Sequence, residues 1–238
     1  LKQFFIIYLV LGCIPHAFSQ EPFQENKAPE VKFIFPNDND TLRWNDFVSY
    51  EISIVDREDG ETKYDEIDMK EVFLVVKYLN DSLREEDYLI SETKMNYEPL
   101  VEMGSRSCFN CHKVHGTLIG PSYNRIAEKY KKVPKSIDIL AKKIIDGGSN
   151  VWGEEIMPSH PDLNISQSKK LIEWILTYNF IAEKKILIGT KGSFRIKKLT
   201  EELKSGIYVL TAFYTDHGFK GNLQGRKRGQ ETITIKLE

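Results

Sequence analysis

Two different periodicities divide the chain. Residues 31–35 alternate, with Val31, Phe33 and Phe35 on one side, and the run Val48-Ser49-Tyr50-Glu51-Ile52-Ser53-Ile54 alternates in the same way. An apolar residue at every second position is what a strand with one buried face requires. Residues 72–78 form a third, more continuously apolar run. Past about residue 96 the spacing turns helical. Ile126, Ala127 and Tyr130 share one face over residues 123–131, and Ile137, Leu140, Ala141, Ile144 and Ile145 recur at i, i+3 and i+4. Gly147-Gly148 then stops that helix. A last helix over residues 166–176 carries the stripe Ile165, Leu171, Ile172, Trp174, Ile175 and Tyr178, with Ser166 or Ser168 as its expected cap. Pro134 and Pro161 fall between helices. Trp174 is expected in the packing between the first and last helices. Strand character returns in residues 185–189, 193–196, 206–214 and 232–237.

Neither β-rich flank suffices alone, because three or four strands make a thin domain with little core. Together they supply about seven, the number of an Ig-like sandwich. The expected organisation is therefore one antiparallel β-sandwich in two parts, residues 29–95 and 181–238, with the helical unit of residues 96–180 inserted in it. Three units in a row is the alternative. The segment 206–215, with Asp216 and a Gly-rich loop before a final strand, resembles the last hairpin of Ig-like domains. The turn Asp56-Arg57-Glu58-Asp59-Gly60 clusters carboxylates, which read as a solvated acidic loop in preference to a calcium site.

The first residues look like an export signal. Lys2 supplies a charge, residues 4–12 are apolar but too few to cross a bilayer, and Ala17-Phe18-Ser19 places small residues where a signal peptidase reads. Residues 1–19 are expected to be removed, leaving a periplasmic or secreted protein. Leu11-Gly12-Cys13 also resembles the end of a lipobox, although Val10 and Leu11 fit it poorly; membrane anchoring would require lipidation at Cys13. Over 238 residues, 33 Lys and Arg face 35 Asp and Glu, a net charge of −2 with no basic block, which argues against nucleic acid as a partner. Lys129, Lys131, Lys132, Lys135, Lys142 and Lys143 form a local basic stretch. It reads either as a solvated helix surface or as a docking face for an acidic partner.

The chemistry is concentrated in Cys108-Phe109-Asn110-Cys111-His112. Two thiols at this spacing, followed directly by His, read as a covalent attachment site for a c-type haem, with His112 placed to reach the iron. A structural zinc site would need four nitrogen or sulfur ligands. The one further cysteine is Cys13, so His115, His160 or His217 would have to complete the set. A thioredoxin-like pair would need a βαβ context, which is missing. Outside the cytoplasm a close thiol pair would ordinarily oxidise, and the adjacent His fits haem better. Among the four methionines, Met69 and Met95 precede the motif and Met103 is expected in the core. Met157, in a Gly- and Pro-punctuated loop before Pro158, is the candidate for the second axial position, since a thioether ligand suits electron transfer. His160 is its rival, and His115 follows His112 too closely to swing round a ring.

With these pieces in order, residues from about 96 to 178 resemble a small bacterial class I cytochrome c. The matching motifs are the leading helix Glu98-Pro99-Leu100-Val101-Glu102-Met103, the Cys-x-x-Cys-His run, Ile119-Gly120-Pro121-Ser122-Tyr123, Gly147-Gly148-Ser149-Asn150-Val151-Trp152-Gly153, Met157-Pro158 and the last helix. The resemblance covers roughly a third of the chain. It implies one haem c joined by thioethers to Cys108 and Cys111, and an iron between His112 and Met157. It also implies a Pro121 carbonyl accepting the His112 ring N–H, and Trp152 near a haem propionate. The fold class is then α plus β, with an all-α cytochrome c domain inserted in or flanked by an Ig-like antiparallel β-sandwich. The implied function is that of an exported electron carrier and not an enzyme. It would take electrons from a dehydrogenase and pass them to an oxidase or another cytochrome. Cytochrome segments flanked in this way resemble modules attached to secreted quinoprotein dehydrogenases. Two other readings stay open. One is a haem enzyme or gas sensor with an open iron position. The other is a carbohydrate-binding or adhesion protein with exposed aromatics on one sheet face, for which Tyr50, Tyr78 and Tyr214 are the candidates, although their expected place is the core.

Overall fold

A computed structural model describes residues 25–81, 84–178, 180–197, 205–219 and 225–238. The expected export segment, Cys13 and part of the Gly-rich loop lie outside the described residues. Nine strands and five α-helices follow one another among them. The first group is β1 (Glu30–Phe35), β2 (Thr41–Leu42), β3 (Phe47–Asp56), β4 (Gly60–Glu61) and β5 (Phe73–Leu79). The helices are α1 (Glu85–Thr93), α2 (Glu98–Ser105), α3 (Tyr123–Tyr130), α4 (Ser136–Asp146) and α5 (Ile165–Thr177). The second strand group is β6 (Lys184–Ile188), β7 (Lys191–Arg195), β8 (Gly206–Thr215) and β9 (Arg228–Leu237). None of the described helices is long and apolar enough to cross a membrane.

The strands on either side of the helices pair with each other. One sheet runs β1-β3-β4 with β7 also paired to β3, and the other runs β2-β9-β8-β5-β6. Thus β5, before the helices, lies between β6 and β8, which follow them. The alternation in β3 sends Val48, Tyr50, Ile52 and Ile54 inward, where they meet Leu74, Val76, Leu210 and Ile235 of the other sheet in one core. Tyr50, Tyr78 and Tyr214 are buried in that core, so they form no exposed aromatic face. The alternation expected of β1 ends early. A register shift between Phe33 and Phe35 leaves Ile34 and Phe35 exposed, so Phe35 does not join Val31 in the core.

The continuous hydrophobicity of β5 has a different cause. Leu74, Val76 and Tyr78 face the core between the sheets, while Phe73 and Val75 lie in a second core with the helices. A strand buried on both faces has no polar side to show. That second core also takes Ile186 of β6 and Phe213 of β8, together with Leu100, Val101, Phe109, Trp174 and Ile175. Trp174 packs beside Tyr178 at 4.7 Å and donates its indole N–H to the Asn96 carbonyl at 3.0 Å.

Some local devices differ from expectation. Asn164, not Ser166 or Ser168, caps α5: its side chain accepts from Gln167 N at 2.9 Å, and the Gln167 side chain accepts from Asn164 N at 3.0 Å. This reciprocal pair satisfies two amides that would otherwise be orphaned at a helix start. Helix α1 was not expected, because it buries no residue and so shows no apolar stripe; Glu85, Glu86 and Asp87 suit its positive N-terminal end. The turn expected to be a solvated acidic loop is internally bonded. Asp56 is buried and accepts from the amides of Glu58 and Asp59 at 3.0 and 2.8 Å. Asp59 accepts from Tyr214 Oη at 2.6 Å and from His217 N at 2.9 Å.

The chain enters and leaves the helical unit through one ionic clasp. Lys184 Nζ lies 2.7 Å from Glu92 Oε2, with side chains only 10% and 9% exposed. The rings of Tyr88, Tyr97 and Tyr178 surround the ammonium at 5.8, 5.6 and 5.7 Å. Tyr97 also donates to Glu92. Removing one partner strands the other charge away from water. Lys184→Met should therefore cost about 3–5 kcal/mol in urea unfolding, and the double variant Lys184→Met/Glu92→Met should recover much of it.

A second charge-dependent tie involves His217, whose Nε2 lies 3.0 Å from Glu71 and whose Nδ1 lies 3.1 Å from Asp59. The hydrogen bond to Glu71 is the main cause that raises the His217 pKa to about 9, against burial, which lowers it. A raised folded-state value means that the contribution is complete below the unfolded value, near 6.5, and fades as pH rises through about 9. Unfolding midpoints measured across that window should fall with pH in the native chain, and the part of the slope due to this ring should vanish in His217→Gln.

Candidate cofactor site

Helix α2 delivers the chain directly to the cysteine motif. Ser107, in the left-handed region at φ 58°, turns it into a single tight turn over Cys108–Asn110. The amides of Cys111 and His112 both donate to the Cys108 carbonyl, at 3.2 and 3.0 Å. This folding holds the two thiols and the imidazole on one short stretch of backbone. Cys108 and Cys111 form no disulfide with each other, and burial pushes the Cys108 thiol up to about 11.

The ring of His112 is oriented by one hydrogen bond. Its Nδ1 lies 2.7 Å from the Pro121 carbonyl oxygen, which can only accept, so Nδ1 carries the proton. Nε2 is left with its lone pair, the tautomer needed to ligate a metal. Burial lowers the His112 pKa, with the Pro121 bond opposing, and so favours the neutral ring. Two neighbours hold the plane. Tyr123 stacks on the imidazole at 5.7 Å and 18°, and Gly120 lies so close that a Cβ there would sit 2.6 Å from His112 Cε1. Gly120 itself is tied back through its amide to the Cys111 carbonyl at 2.8 Å.

A separate segment brings Met157. Its amide donates to the Gly148 carbonyl at 3.0 Å and its carbonyl accepts from Gly148 N at 2.8 Å. The His160 amide then donates to the carbonyls of Ile144 and Ile145 at the end of α4. The loop between α4 and α5 is thereby fastened at both ends of the Met157-Pro158 step.

All six residues singled out from the sequence, Cys108, Cys111, His112, Pro121, Trp152 and Met157, line one cavity of about 350 Å³. Its floor is apolar, with Leu140 and Ile144 of α4 and Leu171, Ile172 and Ile175 of α5. Those side chains were legible as helix stripes, but nothing in their spacing showed that they face a cavity instead of one another. Met103 is buried, as expected, yet also borders the cavity, as does His160. Met69 is exposed and Met95 packs elsewhere in the helical core. His115 packs edge-on against Phe180 at 5.9 Å, and His217 belongs to the Asp59 turn. Of the histidines that would complete a zinc set, His115 and His217 thus lie away from the thiols, and among the described residues no group of three or more His, Cys, Asp or Glu could hold a metal.

At the rim, Trp152 lies under two cations, Lys129 Nζ at 4.4 Å and the Arg125 guanidinium at 5.3 Å from its centroid. Of the basic stretch, Lys129 thus lies over Trp152 and Lys143 lines the cavity itself, while Lys142 pairs on the surface with Asp146 at 2.8 Å. Ile119, Val151 and Ile156 are exposed beside the same mouth, an apolar edge that was not anticipated from the sequence.

One imidazole nitrogen, one thioether, two thiols in a single turn and an apolar enclosure fit a flat macrocycle with a central metal. Comparison with known proteins agrees. Residues 102–179 match the family model described as Cytochrome c. Over 74 residues the chain is 38% identical to cytochrome c-551 of Azotobacter vinelandii, covering 31% of this chain and 89% of that protein. The chain belongs to the cytochrome c family. Cytochrome c-552 of Hydrogenobacter thermophilus is likewise 38% identical, over 30% of this chain and 72% of its own length. Among solved structures, wild-type Nitrosomonas europaea cytochrome c552 is 36% identical, covering 32% of this chain and 93% of that one with a TM-score of 0.31. Membership implies one covalently bound haem c with its iron, and the work of an electron carrier, not an enzyme.

The cytochrome domain leaves no room for a side chain at position 120. In Gly120→Ala the methyl would displace the His112 ring from its bond to Pro121. Overpacking of this kind costs about 1–3 kcal/mol. Thermal unfolding should drop accordingly, and the yield of chain purified with covalently bound haem should fall with it.

Proposed function

We propose that this protein is an exported monohaem electron carrier whose haem is joined to Cys108 and Cys111 and whose iron is held between His112 and Met157. The observation that carries this reading is that His112, with its Nε2 lone pair freed by the Pro121 bond, and Met157, fastened through Gly148, border the same apolar cavity. Haem bound there supplies a one-electron couple between ferrous and ferric iron. The chain's own residues do the rest. Pro121 retains the proton on Nδ1 and keeps the ring's orientation constant between the two states. The side chains of α4 and α5 exclude water from the cavity. With His112 and Met157 both holding the metal, substrates would have no access to it. Trp152, with Lys129 and Arg125 over its ring, places cationic charge where carboxylates of the bound group or of a partner would sit.

The architecture extends the proposal. Residues 29–95 and 181–238 form one Ig-like sandwich in this reading, with residues 96–180 as the inserted cytochrome domain; the pairing of β5 with β6 and β8 supports it. The segment of residues 1–19 directs export, to the periplasm or beyond, with membrane attachment only through Cys13. Electrons would come from a dehydrogenase outside the cytoplasm, of the quinoprotein type that such flanked cytochrome segments resemble, and leave to an oxidase or another cytochrome.

A redox titration of the haem-loaded full chain, followed by absorption, should show one reversible one-electron wave. Carbon monoxide added to the reduced protein should bind slowly or not at all, and Met157→Ala should bind it readily. Rapid, complete binding by the native protein would mean an open iron position and return the gas-sensor reading.

A further inference from the structure

The β-sandwich touches the haem-attachment motif itself. Phe109, between the two cysteines, is only 7% exposed although it occupies a short turn. One side of its ring meets Phe73 of β5 edge-on at 5.8 Å and 65°. The other meets Tyr123 at 5.9 Å and 64°, and Tyr123 is the residue stacked on His112. Behind Phe73 stands Phe213, its register partner on β8, stacked at 5.2 Å and 29°. The guanidinium of Arg228 on β9 lies over the Phe213 ring at 4.8 Å. An unbroken series of aromatic contacts thus runs from the centre of a β-sheet to the ring that would ligate the iron.

A second feature places the same pressure on the backbone. At Gly104, in the last turn of α2, a Cβ would lie 2.9 Å from the Lys70 carbonyl oxygen and 3.2 Å from Phe73 Cζ. The helix that leads into Cys108 is therefore seated directly on the segment preceding β5. Side chains in a packed core are not free to drift, and strain or slack at one contact is passed to the next.

We infer that Phe73 and Phe213 of the sandwich are positioning residues for electron transfer: acting through Phe109 and Tyr123, they hold the Cys108–His112 turn and the His112 ring in place and keep water from that side of the haem. This gives the β-sandwich a part in setting the reduction potential. The inference rests on the haem reading above. Its sign follows from hydration. Deleting Phe73 leaves an apolar hole that itself stays dry, but it frees Phe109 and the Cys108–His112 turn to shift. Solvent then reaches the cavity past the loosened turn, and water there favours the more highly charged ferric state.

The test uses the full chain loaded with haem. Phe73→Ala should shift the ferric-to-ferrous ratio at a fixed poise about tenfold toward ferric, a potential lower by about 59 mV for a one-electron couple. Phe213→Ala should move it in the same direction by less. Ile54→Ala, a deletion in the core between the sheets that does not touch Phe109, should weaken folding yet leave the ratio within about twofold. Should Phe73→Ala not accumulate, Phe73→Leu keeps the apolar bulk and should still give a shift of the same sign. A folded, haem-loaded Phe73 variant with an unchanged potential overturns the inference, as does an equal shift in Ile54→Ala. Failure of the native chain to retain haem would instead overturn the reading on which it rests.

Discussion

The hydrogen bond from His112 Nδ1 to the Pro121 carbonyl, 2.7 Å long, decides which ring nitrogen keeps a lone pair. Much of the surrounding structure serves that bond. The turn after α2 puts His112 directly beyond the second thiol. Gly120 yields the space that the ring occupies, and Tyr123 lies flat on the ring at the start of α3. Burial keeps the imidazole neutral. With the ring so held, its free nitrogen points to chemistry that needs a metal, and the apolar cavity it shares with Met157 sets the shape of the group that carries one. The membership of the cytochrome c family and this local geometry arrive at the same cofactor by independent routes.

The two β-flanks change what the cytochrome domain can be. The five-stranded sheet is covered on both faces, by the other sheet on one side and by the helical unit on the other. Phe73, Val75, Ile186 and Phe213 belong to the same apolar core as the helices that floor the haem cavity. Burial of these side chains stabilises each unit only while the other is in place. The Lys184–Glu92 pair, enclosed by three tyrosines, fastens the two chain crossings within this shared region. The cytochrome domain is therefore not a free module on a tether but one layer of the packing.

How much of this was legible in the sequence depends on range. The thiol and imidazole positions lie within five consecutive residues, so their chemistry is visible without a fold. The alternation of Val48, Tyr50, Ile52 and Ile54 marks a strand because burial there is one-sided. The continuous run of β5 could be read as a strand, but not why it lacks a polar side; the covering layer comes from residues far along the chain. Helix α1 left no trace, since it buries nothing. The cap of α5 was misplaced because three candidate polar residues stand within five positions, and only the backbone geometry selects Asn164. The acidic turn looked solvated because its partner His217 lies 158 residues from Asp59. The sandwich contacts of Phe109 were hidden for the same reason: a phenylalanine between two cysteines carries no sign of what it will touch.

In the proposed holoprotein, one haem is covalently held by Cys108 and Cys111 in the cavity bordered by His112 and Met157. The most direct test is the intact mass of the chain, produced in cells competent for haem attachment and measured under denaturing conditions. The expected mass exceeds that of the polypeptide by one haem, and the excess is lost when both cysteines are replaced by serine. A folded native chain at the bare polypeptide mass, or an added mass that survives the double replacement, would contradict it.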